Sequence, residues 1–93
     1  MTVHVKILLH AMFKEIAGQR EILHEVNANS TLRDLLDVLA QKYRKEFNSI
    51  INSKTGQVSL DTLVLVNGKS IRDPDVQLQD SDVVMITVPI GGG

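Results

Sequence analysis

Apolar and polar residues alternate through the first ten positions. Val3, Val5, Ile7 and Leu9 fall on one side, and Thr2, His4, Lys6, Leu8 and His10 on the other. A period of two is the repeat of a half-buried strand, so residues 2–10 are predicted as a strand. "KEIAGQRE" breaks the alternation and reads as a turn, with Gly18 at its left-handed position. A second strand is expected over residues 21–26, with Ile22, His24 and Val26 alternating against Glu21, Leu23 and Glu25. The period then changes. Leu32, Leu35, Leu36, Leu39 and Tyr43 recur at helical spacing, while Arg33, Asp34, Asp37, Gln41 and Lys42 face away. Ser30 or Thr31 can cap this helix, and Asp34 stands three residues after Thr31 as in a capping box. Lys42, Arg44 and Lys45 complement the dipole at its far end.

"NSIINSKTGQVS" reads as a loop with one short turn, punctuated by Gly56. "LDTLVLVNGKSI" predicts a strand over 62–66, a tight Asn67-Gly68 turn and a short strand around Ser70 and Ile71. "RDPDVQLQDSD" is irregular, with Asp80 and Ser81 turning into the last strand. Residues 83–88 are dense in β-branched side chains with little alternation, which predicts a central strand buried on both faces. The class is α+β: a mixed sheet of four to five strands packed on one main helix, with both terminal strands in the middle.

Composition narrows the chemistry. At 93 residues the chain makes one domain near the small end of what folds on a single core. Ten basic against eleven acidic residues gives no electrostatic reason to expect nucleic acid or an anionic membrane as partner. Three aromatic residues supply no base-stacking platform. With no cysteine, disulfides, thiolate metal sites and a catalytic thiol are excluded. No apolar run is long enough to span a bilayer, and the N-terminal stretch lacks a signal-peptide pattern, so a cytoplasmic protein is expected. His4, His10 and His24 have no cysteine or carboxylate pair to complete a metal site, and read as surface histidines. Asp73, Asp75, Asp80 and Asp82 shape turns. "SKTGQ" lacks the spacing of a phosphate loop, so no ATP site is expected on this chain.

Three of the six glycines are Gly91, Gly92 and Gly93. Glycine loses more backbone freedom on ordering than any other residue, so this run does not extend a strand. Pro89, just before it, ends strand hydrogen bonding and stiffens the exit. Residues without side chains can thread a channel that a Cβ would block. The chemical group such a tail offers is the α-carboxylate of Gly93. Its pKa, about 3.5, makes it a poor general base at neutral pH. It can instead be a substrate: attack on the α-phosphate of ATP gives an acyl-adenylate, which a sulfur or amine nucleophile displaces.

Taken in order, "VKILLHAMFKEIAG", "STLRDLLDVLAQKY", "LVLVNGKSI" and "LQDSDVVMITVPIGGG" cover nearly the full length. In these stretches the chain resembles the ubiquitin-like β-grasp sulfur carriers, most of all the small, MoaD-type subunit of molybdopterin synthase. Where that family often has Asp-Gly-Asp before the last strand, this chain has Ser81 between Asp80 and Asp82. The resemblance implies a ubiquitin-like β-grasp domain over residues 1–90 and a flexible glycine tail over 91–93. It implies that a ubiquitin-activating-like adenylyltransferase spends ATP on Gly93 and that a sulfur donor protein converts it to a thiocarboxylate. The tail would then enter the large, MoaE-type synthase subunit and pass its sulfur to a pterin precursor. Gly91 and Gly92 would give channel clearance, and Pro89 and Ile90 would set the exit. The chain would bind no cofactor itself, and the acid and base groups would belong to the partner. A thiamine-thiazole carrier would use the same tail, although the extra loop over residues 47–60 argues against it. A protein modifier would join Gly93 to a lysine, and a plain binding module would leave the tail inert. Partners are expected to grip the solvent face of the sheet, where Leu8 followed by Met12 and Phe13 forms a candidate docking patch.

Overall fold

The computed structural model describes residues 1–89. The alternating N-terminus forms β1 (Thr2–Leu9) and the next alternating run forms β2 (Glu21–Asn27). Between them the predicted turn is a short helix, α1 (Ala11–Ala17). Phe13, Ile16 and Ala17 sit at helical spacing and turn toward the core, but seven residues are too few for that period to stand out. Gly18 ends α1 in the left-handed conformation, φ 74°, and its N–H closes the last turn on the carbonyl of Lys14.

The main helix, α2 (Leu32–Lys42), starts as expected. Asp34 N–H donates to Thr31 Oγ1 at 3.2 Å, and Thr31 N–H donates to Asp34 Oδ2 at 2.9 Å. Leu32, Leu35, Leu36 and Leu39 are all buried. The segment read as a loop contributes more than connection. Lys45–Ile50 is a 3-10 helix, and Phe47, Ile50 and Val58 are fully buried. The ring centroids of Phe13 and Phe47 lie 5.5 Å apart, so this segment closes the end of the core that α2 is too short to cover.

The remaining strands are β3 (Leu63–Val66), β4 (Lys69–Ser70) and β5 (Val83–Thr87). The sheet order is β2-β1-β5-β3-β4, with β1 and β5 parallel and the other pairs antiparallel. Both terminal strands are thus central. The expectation that β5 is buried on both faces is corrected. Val84 and Ile86 are buried under the helices, whereas Val83, Met85 and Thr87 are half-buried on the opposite face. β5 is central within the sheet, yet helices cover one face of the sheet only.

Asn67 and Gly68 turn the β3–β4 hairpin with φ of 53° and 85°, the positive pair that an Asn-Gly turn supplies. Asn67 also acts as a clamp. Its Nδ2 donates to Asp82 Oδ1 at 2.8 Å, and its Oδ1 accepts from Val83 N–H at 2.9 Å. Asp82, 8% exposed, accepts a further bond on Oδ2 from Gln79 N–H at 2.7 Å. Asp80 Oδ1 accepts from His4 N–H at 2.8 Å, tying the same turn to β1. The acidic turn before β5 therefore holds three strands in register.

Ser81, inside this turn, has φ 71°. A Cβ is disfavoured there and a glycine is not. Ser81→Gly is expected to raise the unfolding free energy by about 0.5–1 kcal/mol, after allowing for the added freedom of the unfolded chain. Urea denaturation checks this, with a higher midpoint at unchanged slope as the expected result.

Candidate functional site

β5 delivers the chain to its C-terminal end from a fixed position. Its residues pair with β1 from Val83 to Ile86 and with β3 from Val84 to Thr87, so both edges are occupied. The grip continues past the strand. His10 N–H donates to the Ile86 carbonyl at 3.1 Å, and Val88 packs half-buried against the core. A small cavity of about 150 Å³ lies at this exit, lined by Met12, Phe13, Ile50, Thr62 and Val88. Pro89 is exposed and follows directly. Ile90, Gly91, Gly92 and Gly93, the other tail residues singled out from the sequence, lie outside the described residues.

The second feature is the sheet face away from the helices. Leu8 of β1, Met85 of β5 and Leu65 of β3 are register partners and form one row across three strands. Two inter-strand steps make that row roughly 10 Å long. Val83 lies beside Lys6 and Leu63 beside Thr87, which extends the apolar surface to either side. All of these apolar residues are half-buried. Leu23, opposite Lys6 on β2, is 75% exposed. Charge frames the face at its β2 side: His4 Nε2 lies 3.0 Å from Glu25 Oε2, and His4 Nδ1 lies 3.6 Å from Asp80 Oδ1.

The proposed patch of Leu8, Met12 and Phe13 is not one surface. Leu8 lies on the open face. Phe13 is 3% exposed and belongs to the core, because α1 folds it under the sheet. Met12, 48% exposed, stands beside the tail exit. Sequence reasoning missed Met85, Leu65, Leu63 and Val83. Their signal was present in the alternation of β3 and β5, but uniformly apolar side chains concealed it.

The Arg33–Asp75 pair is structural. Arg33 Nε donates to Asp75 Oδ1 at 2.9 Å and fastens the turn around Pro74 to the first turn of α2. This hydrogen bond holds the Asp75 carboxyl below its ordinary value and the Arg33 guanidinium above its own. Among the described residues no group of three or more His, Asp or Glu side chains is arranged to hold a metal ion, and no helix is long and apolar enough to cross a membrane.

The profile of the ThiS family matches residues 7–93. The chain belongs to the ThiS family. These are ubiquitin-like sulfur carriers and protein modifiers. Over 92 residues the chain is 29% identical to small archaeal modifier protein 3 of Haloferax volcanii, covering 96% of this chain and 98% of that protein. Among solved structures, a putative molybdopterin converting factor, subunit 1, from Pyrococcus furiosus superposes with a TM-score of 0.76 at 27% identity. It covers 95% of this chain and 99% of its own. Small archaeal modifier protein 1 of Methanosarcina acetivorans gives a TM-score of 0.75 at 27% identity, covering 100% of this chain and 99% of its own. The ubiquitin-like β-grasp fold expected from the sequence is thereby established.

Placement separates the two aromatic and aliphatic candidates energetically. Phe13→Ala is expected to destabilise the ThiS-family domain by about 3–5 kcal/mol through loss of burial and a core cavity. Leu8→Ala, on the open face, should cost no more than about 1 kcal/mol. Thermal or urea unfolding of the two variants beside the parent measures the difference.

Proposed function

We propose that the chain is a sulfur carrier that works through the α-carboxylate of Gly93. An adenylyltransferase of the ubiquitin-activating type uses ATP to form the Gly93 acyl-adenylate, and a sulfur donor protein converts this to a thiocarboxylate. The tail then enters the large subunit of molybdopterin synthase and gives its sulfur to a pterin precursor. The observation that carries this reading is a glycine run three residues beyond a strand held on both edges, within a family match that extends through Gly93. A firm base with side-chain-free residues beyond it suits delivery of one atom into an enclosed site. The likeness to the Pyrococcus converting-factor subunit supports the pterin as acceptor.

The open face supplies the grip. The Leu8–Met85–Leu65 row lies across the central strands, beside the strand that leads to the tail, so a partner bound there has the tail within reach. Gly91 and Gly92 let the tail pass a narrow channel, and Pro89 with Ile90 sets its direction. The acid and base groups are the partner's.

A second reading has its own support. The nearly full-length match to small archaeal modifier protein 3 favours transfer of activated Gly93 to a lysine amine, giving an isopeptide bond. Both readings share the activation step and differ in the nucleophile that follows.

Mass analysis of the protein isolated from its own cells decides between them. A mass gain equal to the exchange of one oxygen for sulfur, localised to Gly93, is the expected result. Recovery of Gly93 on lysines of other proteins, with only free carboxylate in the remaining pool, would establish the modifier. Met85→Lys should leave folding intact and lower loading by the activating enzyme about tenfold or more, since a charge is placed in an apolar interface. Unchanged loading would move the grip away from the open face.

A further inference from the structure

β2 is the outer strand on its side of the sheet, and its free edge is long. The ladder phase follows from two bonds at its ends: Leu9 N–H donates to Arg20 O at 2.8 Å, and Ala28 N–H to Met1 O at 2.9 Å. With Ile7 opposite Ile22 and Val5 opposite His24, the residues Ile22, His24 and Val26 turn their main-chain groups toward β1. Glu21, Leu23 and Glu25 turn theirs outward. Among the described residues, no hydrogen bond reaches those outward N–H and C=O groups.

This edge carries one apolar side chain between two acids on its open face and a mixed groove on its helix face. Leu23 stands 75% exposed on the open face. On the helix side a groove of about 450 Å³ runs between β2 and α2, where Val26 and Val38 stand among His24, Asn27, Ser30 and Asp34, and Val38 is 37% exposed. Charge selects what can lie there. A second copy pairing antiparallel and centred on Leu23 would set Glu21 against Glu25 twice, and centred on Glu25 would set that residue against itself. Like charges directly opposite destabilise a strand pair. Centred on His24, it would place glutamate against leucine and compensate neither acid.

We propose that the β2 edge accepts an extended segment of a protein partner by strand addition, one that places basic residues opposite Glu21 and Glu25 and an apolar residue opposite Leu23. The outward main-chain groups supply the hydrogen bonds, and the alternation of side chains supplies the selectivity. Intervening β-branched residues of the segment face the groove and meet Val38. β2 lies two strands from β5, so the added strand leaves the tail exit clear. The inference therefore holds whichever acceptor Gly93 serves.

The test is an NMR titration of the whole chain with the peptide acetyl-Thr-Lys-Val-Leu-Val-Lys-Thr-amide and a control carrying glutamate for both lysines. Shifts and slowed hydrogen exchange are expected at the amides of Leu23 and Glu25, with the basic peptide binding about tenfold more tightly. Leu23→Pro deletes an outward N–H without touching the β1 ladder, so it should keep the fold and abolish binding. Glu25→Lys should shrink or reverse the preference between the peptides, and it decides the matter if the proline variant fails to fold. Shifts centred on Leu8 and Met85, equal binding of both peptides, or binding by folded Leu23→Pro equal to the parent's would overturn the proposal. Self-association of the free protein through β2 would assign the edge to a second copy instead.

Discussion

The parallel pairing of β1 with β5 is the constraint on which the rest of the structure depends. It brings the two ends of the chain together, and parallel strands cannot be joined by a tight turn. The chain between residues 10 and 82 is thus one long excursion, which adds β2, β3 and β4 to the sheet and lays α1, α2 and the 3-10 helix on one face of it. The register of this pair is set where β5 begins. Lys6 N–H bonds to Asp82 O at 2.9 Å, Ser81 N–H to His4 O at 2.7 Å, and the Asp80 carboxylate takes His4 N–H. A slip of one residue would turn Val84 and Ile86 outward and bring Val83 and Met85 into the core. The buried Asp82 carboxylate fixes β5 against β3 in the same way. Its bond from Asn67 Nδ2 forms only in the observed β3–β5 register, and losing it would leave a buried carboxylate oxygen unpaired at a large desolvation cost.

The same arrangement creates the open face. One main helix, one short helix and a 3-10 segment form a single layer, so a five-stranded sheet has one covered side. Apolar residues on the uncovered side do not serve this core. Leu8, Met85 and Leu65 nevertheless stand in one row, half-exposed. Scattered apolar residues on a surface need no explanation, whereas an aligned row at the centre of a sheet calls for a cover. β5 runs from that row to Val88 and Pro89, so the open face and the point where the described chain ends are carried by one strand paired on both edges.

The elements with a clean period were legible in the chain. β1, β2 and α2 each combine several turns or pleats with one apolar side, and Thr31 with Asp34 marks the helix start independently of the period. The Asn67-Gly68 turn was legible for a different reason, since its backbone demands positive φ. What was lost had either too little length or too little contrast. α1 spans two turns and Phe13 is its one fully buried side chain, so the helix reads as a turn and the phenylalanine as exposed. β5 reads VVMIT, apolar on both faces, and nothing in such a run says whether one layer of helices or two will cover it. The segment 47–60 lacks any period because its core residues Phe47, Ile50 and Val58 enter from a 3-10 helix and an isolated bridge. The open-face row follows from register, and register is a property of strand pairs rather than of any one strand.

Two of those losses, α1 and the segment 47–60, fall in one place for a physical reason. Phe13, Ile50 and Val88 meet at the tail exit, where the core must end and the chain must leave it. A carrier needs that boundary to be abrupt: a strand that frayed gradually would let the tail collapse onto its own apolar face and would give a partner no fixed origin. The closing segment 45–58 makes the boundary abrupt by bringing Phe47 against Phe13 and Ile50 to the same small cavity as Val88, and Pro89 then removes the next strand donor. The additional loop is thus part of the core rather than an appendage to it. A shorter connection between α2 and β3 would take Phe47, Ile50 and Val58 out of the core and leave Phe13 without its aromatic partner.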